Sequence, residues 1–252
     1  MGIYKMGRIK HGLMSSKSYA ILILTLFHQL YRELRDIVVE QLPLTKRDKP
    51  WMEYKELDLI SEVLEKLQPE KVLEWGAGYS TLHFPNRLKN TAEWYAVEHN
   101  EEWANLIRRI NKNPKVEIIH ISPDHFPWTD PENDGAYEDL KQYLEYPTKL
   151  GKFDFIFIDG RARRECLKKA LEIINDDGVV VLHDANRKYY HEPFQSFKNA
   201  VLFSDDHRSC QIMWGGIWIG SKGRDLKTVL DITKHERLFK CYQTIKKIIR
   251  KR

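Results

Sequence analysis

The stretch that decides the fold runs from Lys71 to Phe84 and reads KVLEWGAGYSTLHF. A short apolar run, Val72 and Leu73, reaches an acid, Glu74, and then turns on Gly76 and Gly78 before Ser80 and Thr81, hydroxyl residues of the kind that cap helices. Strand, glycine turn and helix start, in that order, make a nucleotide cradle. Glycine lets backbone approach a ligand with no Cβ in the way, and the first N–H groups of a helix are unpaired. A dinucleotide fingerprint needs a third glycine at position 81, where this chain has Thr, so the loop satisfies G-x-G and fails G-x-G-x-x-G. Pro85 cannot donate a hydrogen bond inside a helix, which predicts a helix that starts late or kinks there.

Working outward, apolar residues at Leu57, Ile60, Val63, Leu64 and Leu67 recur at helical spacing and predict an amphipathic helix over 51–67. Downstream, Glu93 to Glu98 reads as a second strand, Asn100 to Ile110 as a helix and Lys115 to Ile121 as a third strand. Phe153 to Asp159 is a buried strand running into Gly160, with a helix over 162–174, and Gly178 to Leu182 is a fifth strand ending at His183-Asp184. Strand and helix alternate from residue 57 onward, which argues for a parallel sheet with right-handed crossovers and ligands at the strands' C-terminal ends. Ser209 to Trp214 and Ile217 to Ser221 flank Gly215-Gly216, a two-residue turn of the kind that joins antiparallel strands.

Glu74-Trp-Gly-Ala-Gly resembles motif I of the class I S-adenosylmethionine (SAM) dependent methyltransferases. That resemblance extends over roughly 51–221. It implies an α/β, Rossmann-like fold with a mostly parallel seven-stranded sheet and a C-terminal antiparallel hairpin, helical extensions at both ends, and SAM as cofactor. The expected organisation is an N-terminal helical extension over 1–50, the methyltransferase domain over 51–225 and a basic amphipathic helix over 226–252. Glu74, Gly76, Gly78 and Ser80 are the expected cofactor-binding residues of the loop. Glu98 stands 24 positions beyond Glu74, near the spacing at which an acid accepts from both ribose hydroxyls. Ser122 stands where this family contacts the adenine side, and Asp159 completes the expected set. Trp51 and Tyr54 are candidates to lie over the cofactor, as in similar methyltransferases.

The chain has 252 residues, 42% of them hydrophobic, enough for one well-buried domain with extensions. Its formal charge of +5 is mild and concentrated at the ends. Cys166, Cys210 and Cys241 are scattered without C-x-x-C spacing, which argues against a disulfide framework or structural zinc and makes a reducing cytoplasm the default. Tyr19 to Phe27 is nearly all apolar but well short of the roughly 20 residues of a spanning helix. It is expected to pack on the domain or on a second subunit, with interfacial membrane attachment as the competing reading. The span from Pro43 to Pro50 reads as a linker. Lys234 to Arg252 sets Leu238, Phe239, Tyr242, Ile245, Ile248 and Ile249 against a run of Lys and Arg. Such helices bind anionic membrane surfaces or pack on their own protein. Peripheral membrane contact through the termini and a homodimer are both open; no nucleic-acid partner is expected, because no RNA-binding module signature is visible.

Methyl transfer from a sulfonium needs alignment of two reactants and removal of the acceptor proton. His183 has the ordinary pKa of a general base, with Asp184 or Asp159 to orient it. Alternatively, Asp159 and Asp184 are oxygen ligands of a divalent ion that acidifies the hydroxyl. The long insertion from Pro123 to Gly151, rich in aromatic and acidic residues, is the expected acceptor lid, with Tyr137 as an acceptor contact and a short helix over 139–146. Arg161, Arg163 and Arg187 would crowd the same rim and bind an acidic acceptor, since guanidinium suits carboxylate and phosphate. Asp159-Gly-Arg-Ala-Arg and Leu182-His-Asp-Ala-Asn-Arg resemble the matching strand ends of the glucuronoxylan 4-O-methyltransferase family and of small bacterial surface-glycan methyltransferases. That implies O-methylation of a sugar hydroxyl. Methylation of RNA or protein, a non-catalytic SAM-binding subunit and a polyamine-forming aminopropyltransferase are the competing readings.

Overall fold

The structure, a computed structural model, describes residues 16–40, 49–130, 134–204 and 215–250. In chain order its helices are α1 (Ser16–Glu40), α2 (Tyr54–Leu67), α3 (Tyr79–His83), α4 (Glu101–Ile110), α5 (Lys141–Glu145), α6 (Arg163–Ile173) and α7 (Ile232–Arg250). The strands are β1 (Lys71–Trp75), β2 (Glu93–Glu98), β3 (Val116–His120), β4 (Phe153–Ile158), β5 (Ile174–His183), β6 (Asn199–Phe203) and β7 (Ile217–Ser221). They form one seven-stranded sheet in the order β3-β2-β1-β4-β5-β7-β6. The first five strands are parallel, and β7 pairs antiparallel with both β5 and β6. The order reverses direction between β1 and β4, so the C-terminal ends of those two strands flank the switch point where open α/β sheets hold ligands.

Each sheet face carries its own core. On one, Val72, Phe155, Phe157 and Val181 meet Leu57, Ile60 and Val63 of α2; on the other, Trp75, Ile156 and Leu182 meet Tyr143 of α5 and Leu167 of α6. Strands covered on both faces must be apolar throughout, which is why β4 reads FDFIFI and not as an alternation.

The expected elements form with small shifts. Asn100 caps α4 by accepting the Trp103 N–H at 2.8 Å. The α3 helix ends at His83, and Pro85 falls in the first turn of a following 3₁₀ segment, where its missing N–H costs nothing. One strand differs. The antiparallel partner of β7 is Asn199–Phe203, joined through a longer connection than a two-residue turn; the expected partner, Ser209 to Trp214, lies outside the described residues. The basic segment 1–15, most of the linker and Cys210 also lie outside them. Among the described residues no helix is long and apolar enough to cross a membrane.

The two terminal helices dock differently. α7 buries Leu238, Phe239 and Tyr242, and the rings of Phe239 and Tyr242 cover the ammonium of Lys55 on α2. α1 meets α2 through polar groups: the Gln29 amide donates to Asp58 at 2.8 Å, Arg32 pairs with the same carboxylate, and Asp36 accepts from the Tyr54 hydroxyl at 2.7 Å.

Candidate active site

The turn after β1 is built by backbone contact. Gly76 has φ +96°, and a Cβ there would stand 2.5 Å from the Gly160 Cα. The Asp159 N–H donates to the Trp75 carbonyl at 2.9 Å, so the glycine loop and the β4 end are stitched together. A Cβ on Gly78 would meet only the Ser80 hydroxyl at 3.8 Å, which leaves that side of the loop open. Beside it stand Trp51, Tyr79 and Trp103, with ring centroids 5.8 to 6.5 Å apart, and the Trp103 indole donates to the Ala77 carbonyl at 2.6 Å. Trp51 therefore flanks the loop. Tyr54 does not: its hydroxyl is bound to Asp36 of α1.

Glu74 departs from its expected role. It is fully buried and accepts from Trp94 Nε1 at 2.8 Å and from the Ser80 hydroxyl at 2.5 Å. Burial pushes its carboxyl up to about 8, against the opposing hydrogen bonds from Ser80, Thr81 and Trp94. At neutral pH it is largely protonated and offers a cofactor no anionic carboxylate. Glu74 and Ser80 tie the strand to α3 instead of reaching a ligand. Glu98 closes β2, is buried, and accepts the Asn100 N–H at 2.9 Å. Ser122 is exposed just past β3, and the Ile121 N–H beside it donates to the Glu98 carbonyl at 2.9 Å. The open face at Gly78, the acid at Glu98 and the aromatic flank suit an adenosyl group lying across the β1 and β2 ends.

At the ends of β4 and β5, His183 stands between two carboxylates: Nδ1 lies 2.9 Å from Asp159 Oδ1 and Nε2 3.4 Å from Glu56 Oε2. Burial alone would lower its pKa, yet the two acids outweigh it and hold the ring well above its ordinary value. The resulting imidazolium has no free lone pair, which corrects its reading as a ready general base. Asp184 does not orient it. Its carboxylate accepts from Arg163 Nη1 at 3.1 Å and the Gly215 N–H at 2.7 Å and lies 3.5 Å from Arg187, so Asp159 is the orienting acid. The guanidinium of Arg163 pairs with both Asp184 and Asp159, a cation in place of the expected shared metal ion. Among the described residues no group of three His, Cys, Asp or Glu side chains could hold an ion.

Glu56 is the site residue that the sequence did not reveal. It caps α2 by accepting the Glu53 N–H at 3.0 Å, accepts the Gly216 N–H at 2.9 Å and faces His183, although 127 positions separate the two. The one available signal was an acid among the core-facing positions of an amphipathic helix.

The arginines divide. Arg163 is buried and donates to the His183 carbonyl at 2.9 Å and the Gly160 carbonyl at 3.0 Å, besides its ion pairs with Asp184 and Asp159, so it clamps two strand ends and is not an acceptor contact. Arg187, its side chain 8% exposed, donates at 3.0 Å to Asp134 of the insertion and at 3.0 Å to the Tyr190 hydroxyl. Arg161 is 47% exposed, with one long contact of 3.4 Å to Asp134. Tyr137 is directed elsewhere: its hydroxyl donates to Glu145, which pairs with Lys169 of α6. The insertion folds around Asp139, a fully buried carboxylate that accepts from the Thr129 N–H at 3.0 Å and the Ala136 N–H at 2.8 Å; these hydrogen bonds outweigh burial and keep its pKa low. The expected helix over 139–146 is α5, continued by a 3₁₀ turn to Leu150.

Residues 73–185 match a family profile described as "Methyltransferase domain". The fold is similar to that of an O-methyltransferase from Bacillus cereus solved in complex with SAH, with a TM-score of 0.50 and 15% identity over 83% of this chain and 93% of that one. A methyltransferase-like protein from Silicibacter pomeroyi aligns with a TM-score of 0.49 and 17% identity over 77% of this chain and 97% of that one. Spermidine synthase from Thermotoga maritima aligns with a TM-score of 0.47 and 17% identity over 72% and 63%, respectively. No curated protein sequence matches. The matched segment runs from β1 to just past β5 and contains the glycine loop, Glu98, Asp159 and His183, and with the sheet order it supports a class I SAM-dependent methyltransferase.

Proposed function

We propose that the chain transfers a methyl group from SAM to a hydroxyl of a glycan or related small molecule that carries an acidic group. The observation behind this reading is the backbone stitch that fixes Asp159 beside the glycine loop, with its side chain 21% exposed while its neighbours Arg163, His183 and Asp184 are buried. Bound SAM supplies an electrophilic methyl group on its sulfonium. The glycine loop and Glu98 hold the adenosyl end, and Trp51, Tyr79 and Trp103 screen it from water. Asp159 accepts the proton of the attacking hydroxyl. His183 and Arg163 fix the orientation of that carboxylate, and Glu56 fixes His183. Arg161, at the rim, pairs with the acceptor's acidic group.

The test has two stages. Calorimetric titration should give micromolar SAM binding, weakened in Glu98→Ala, with no heat from NAD; absence of SAM binding ends this reading. Methyl transfer from labelled SAM is then followed on uronic acid-containing, phosphorylated and neutral glycans. Turnover should favour the acidic ones and vanish in Asp159→Asn while SAM binding persists. Equal turnover of neutral glycans removes the role of Arg161, and turnover surviving Asp159→Asn removes that of Asp159.

A further inference from the structure

α1 is oriented against the usual rule for a surface helix. Its buried or protein-facing positions include Gln29, Arg32 and Asp36, while Leu24, Phe27, Tyr31, Leu34 and Val38 are 61 to 68% exposed. Of the eleven large apolar side chains exposed among the described residues, eight lie on this helix. A monomer gains nothing by ordering that face toward water.

A second copy of the chain is one conceivable cover, because spacings of three and four residues from Leu24 to Val38 trace a coiled-coil seam. That seam spans only about two heptads, short of the three to four that sustain a coiled coil. Ile21 and Ile23, about half exposed, flank it on either side and widen the face beyond such a seam. Charge separates the two covers further. Among its described side chains α7, packed alongside α1, carries Lys234, Arg237 and Lys240 against the acid Glu236, with Lys234 paired to Glu62 of α2. Pairing two copies would bring like charges together, whereas an anionic surface would neutralise them. Where the two helices meet, the Arg237 guanidinium lies 5.7 Å from the Tyr19 ring centroid, and its buried Nη1 has no hydrogen-bond partner. Lys240, exposed about one turn further along α7, offers its ammonium to a lipid phosphate.

We infer that α1 and α7 form a monotopic docking surface for a bilayer containing anionic phospholipid, with the α1 apolar face set into the headgroup boundary and Arg237 and Lys240 on lipid phosphates. The helix lies on the membrane and does not span it. This inference is independent of the methyl acceptor.

The experiment is flotation of the full chain with vesicles of phosphatidylcholine alone or with about a third phosphatidylserine, a fraction that gives a negative surface potential. Binding should require phosphatidylserine and weaken with added salt. The triple variant Leu24→Glu, Phe27→Glu, Leu34→Glu should lose vesicle binding at least about tenfold, and Arg237→Ala and Lys240→Ala about fivefold each. Far-UV circular dichroism and SAM titration check that the triple variant is folded. Tyr31→Trp gives a readout that needs no destabilising change: its fluorescence should shift to the blue on adding phosphatidylserine vesicles. A chain that ignores both kinds of vesicle overturns the inference. So does a dimer by light scattering that the triple variant dissociates while Tyr31→Trp remains unshifted with vesicles, since a second copy would then cover the face.

Discussion

The ends of β1 and β4 each carry an acid beside a glycine turn, and the fold treats them oppositely. Glu74 is sealed between Ser80 and Trp94, with its carboxyl raised by burial; Asp159 remains partly open, bracketed by His183 and Arg163. The same division runs through Asp159-Gly-Arg-Ala-Arg. Ala162, at φ +47°, turns the chain into α6, so that Arg163 drops beneath the strand ends while Arg161, two residues earlier, stays at the rim. Residue type and spacing nominate polar groups for a site. Burial then separates those that hold the backbone from those left for a ligand.

The most severe break of the contrast is Asp159→Asn. Turnover should fall by about 10² to 10⁴, the usual scale for losing a proton-transfer group, with a smaller loss of thermal stability than in Arg163→Ala, because Arg163 keeps Asp184 and His183 keeps Glu56. Arg163→Ala should instead cost about 3–5 kcal/mol of folding stability, because it strands Asp184 and Asp159 without their shared cation. Urea unfolding measures it, and Arg163→Lys should rescue little, since an ammonium cannot reach the carbonyls and carboxylates that the guanidinium bridges.

Glu74→Gln sharpens the other side. A carboxyl whose folded pKa is raised to about 8 stabilises the fold below its unfolded value and loses that contribution as pH climbs toward the folded one. Between pH 4.5 and 7 the loss is about 3 kcal/mol. Melts of Glu74→Gln should therefore be flatter across that window than those of the unmodified chain; a parallel pair of curves would show that Glu74 is ionised in the fold. The smallest effect belongs to the rim. Arg161→Ala should raise KM for an acidic acceptor by about tenfold, leaving kcat and the melting temperature unchanged, as expected for an exposed pair that forms only with substrate.

Much of this architecture was legible because it rests on local chemistry. The turn at Gly76, the apolar run of β4 and the cap at Asn100 are each decided within a few residues. The polar assignments were harder, for one physical reason: pattern locates a side chain on an element but not the partner that element will meet. Glu56 becomes part of the site only when α2 crosses the sheet beneath Gly216 and His183. Asp184 looked like a partner for His183 because they are adjacent, yet at φ +56° its side chain swings to Arg163 and Gly215. Asp134 could not be foreseen, since Arg187 reaches it across 53 positions.

The contact of Gly76 with Gly160 has a bearing on how the site could change over time. Each occupies space that a side chain at the other would need, so neither position can vary alone without disturbing the relation between the loop and Asp159. The two turns behave as a single gauge block: the separation between the glycine loop and Asp159 is set by main chain against main chain, with no adjustable spacer. Under the proposed function, acceptor preference would drift through the insertion and Arg161 while the distance from the loop to Asp159 stays constant.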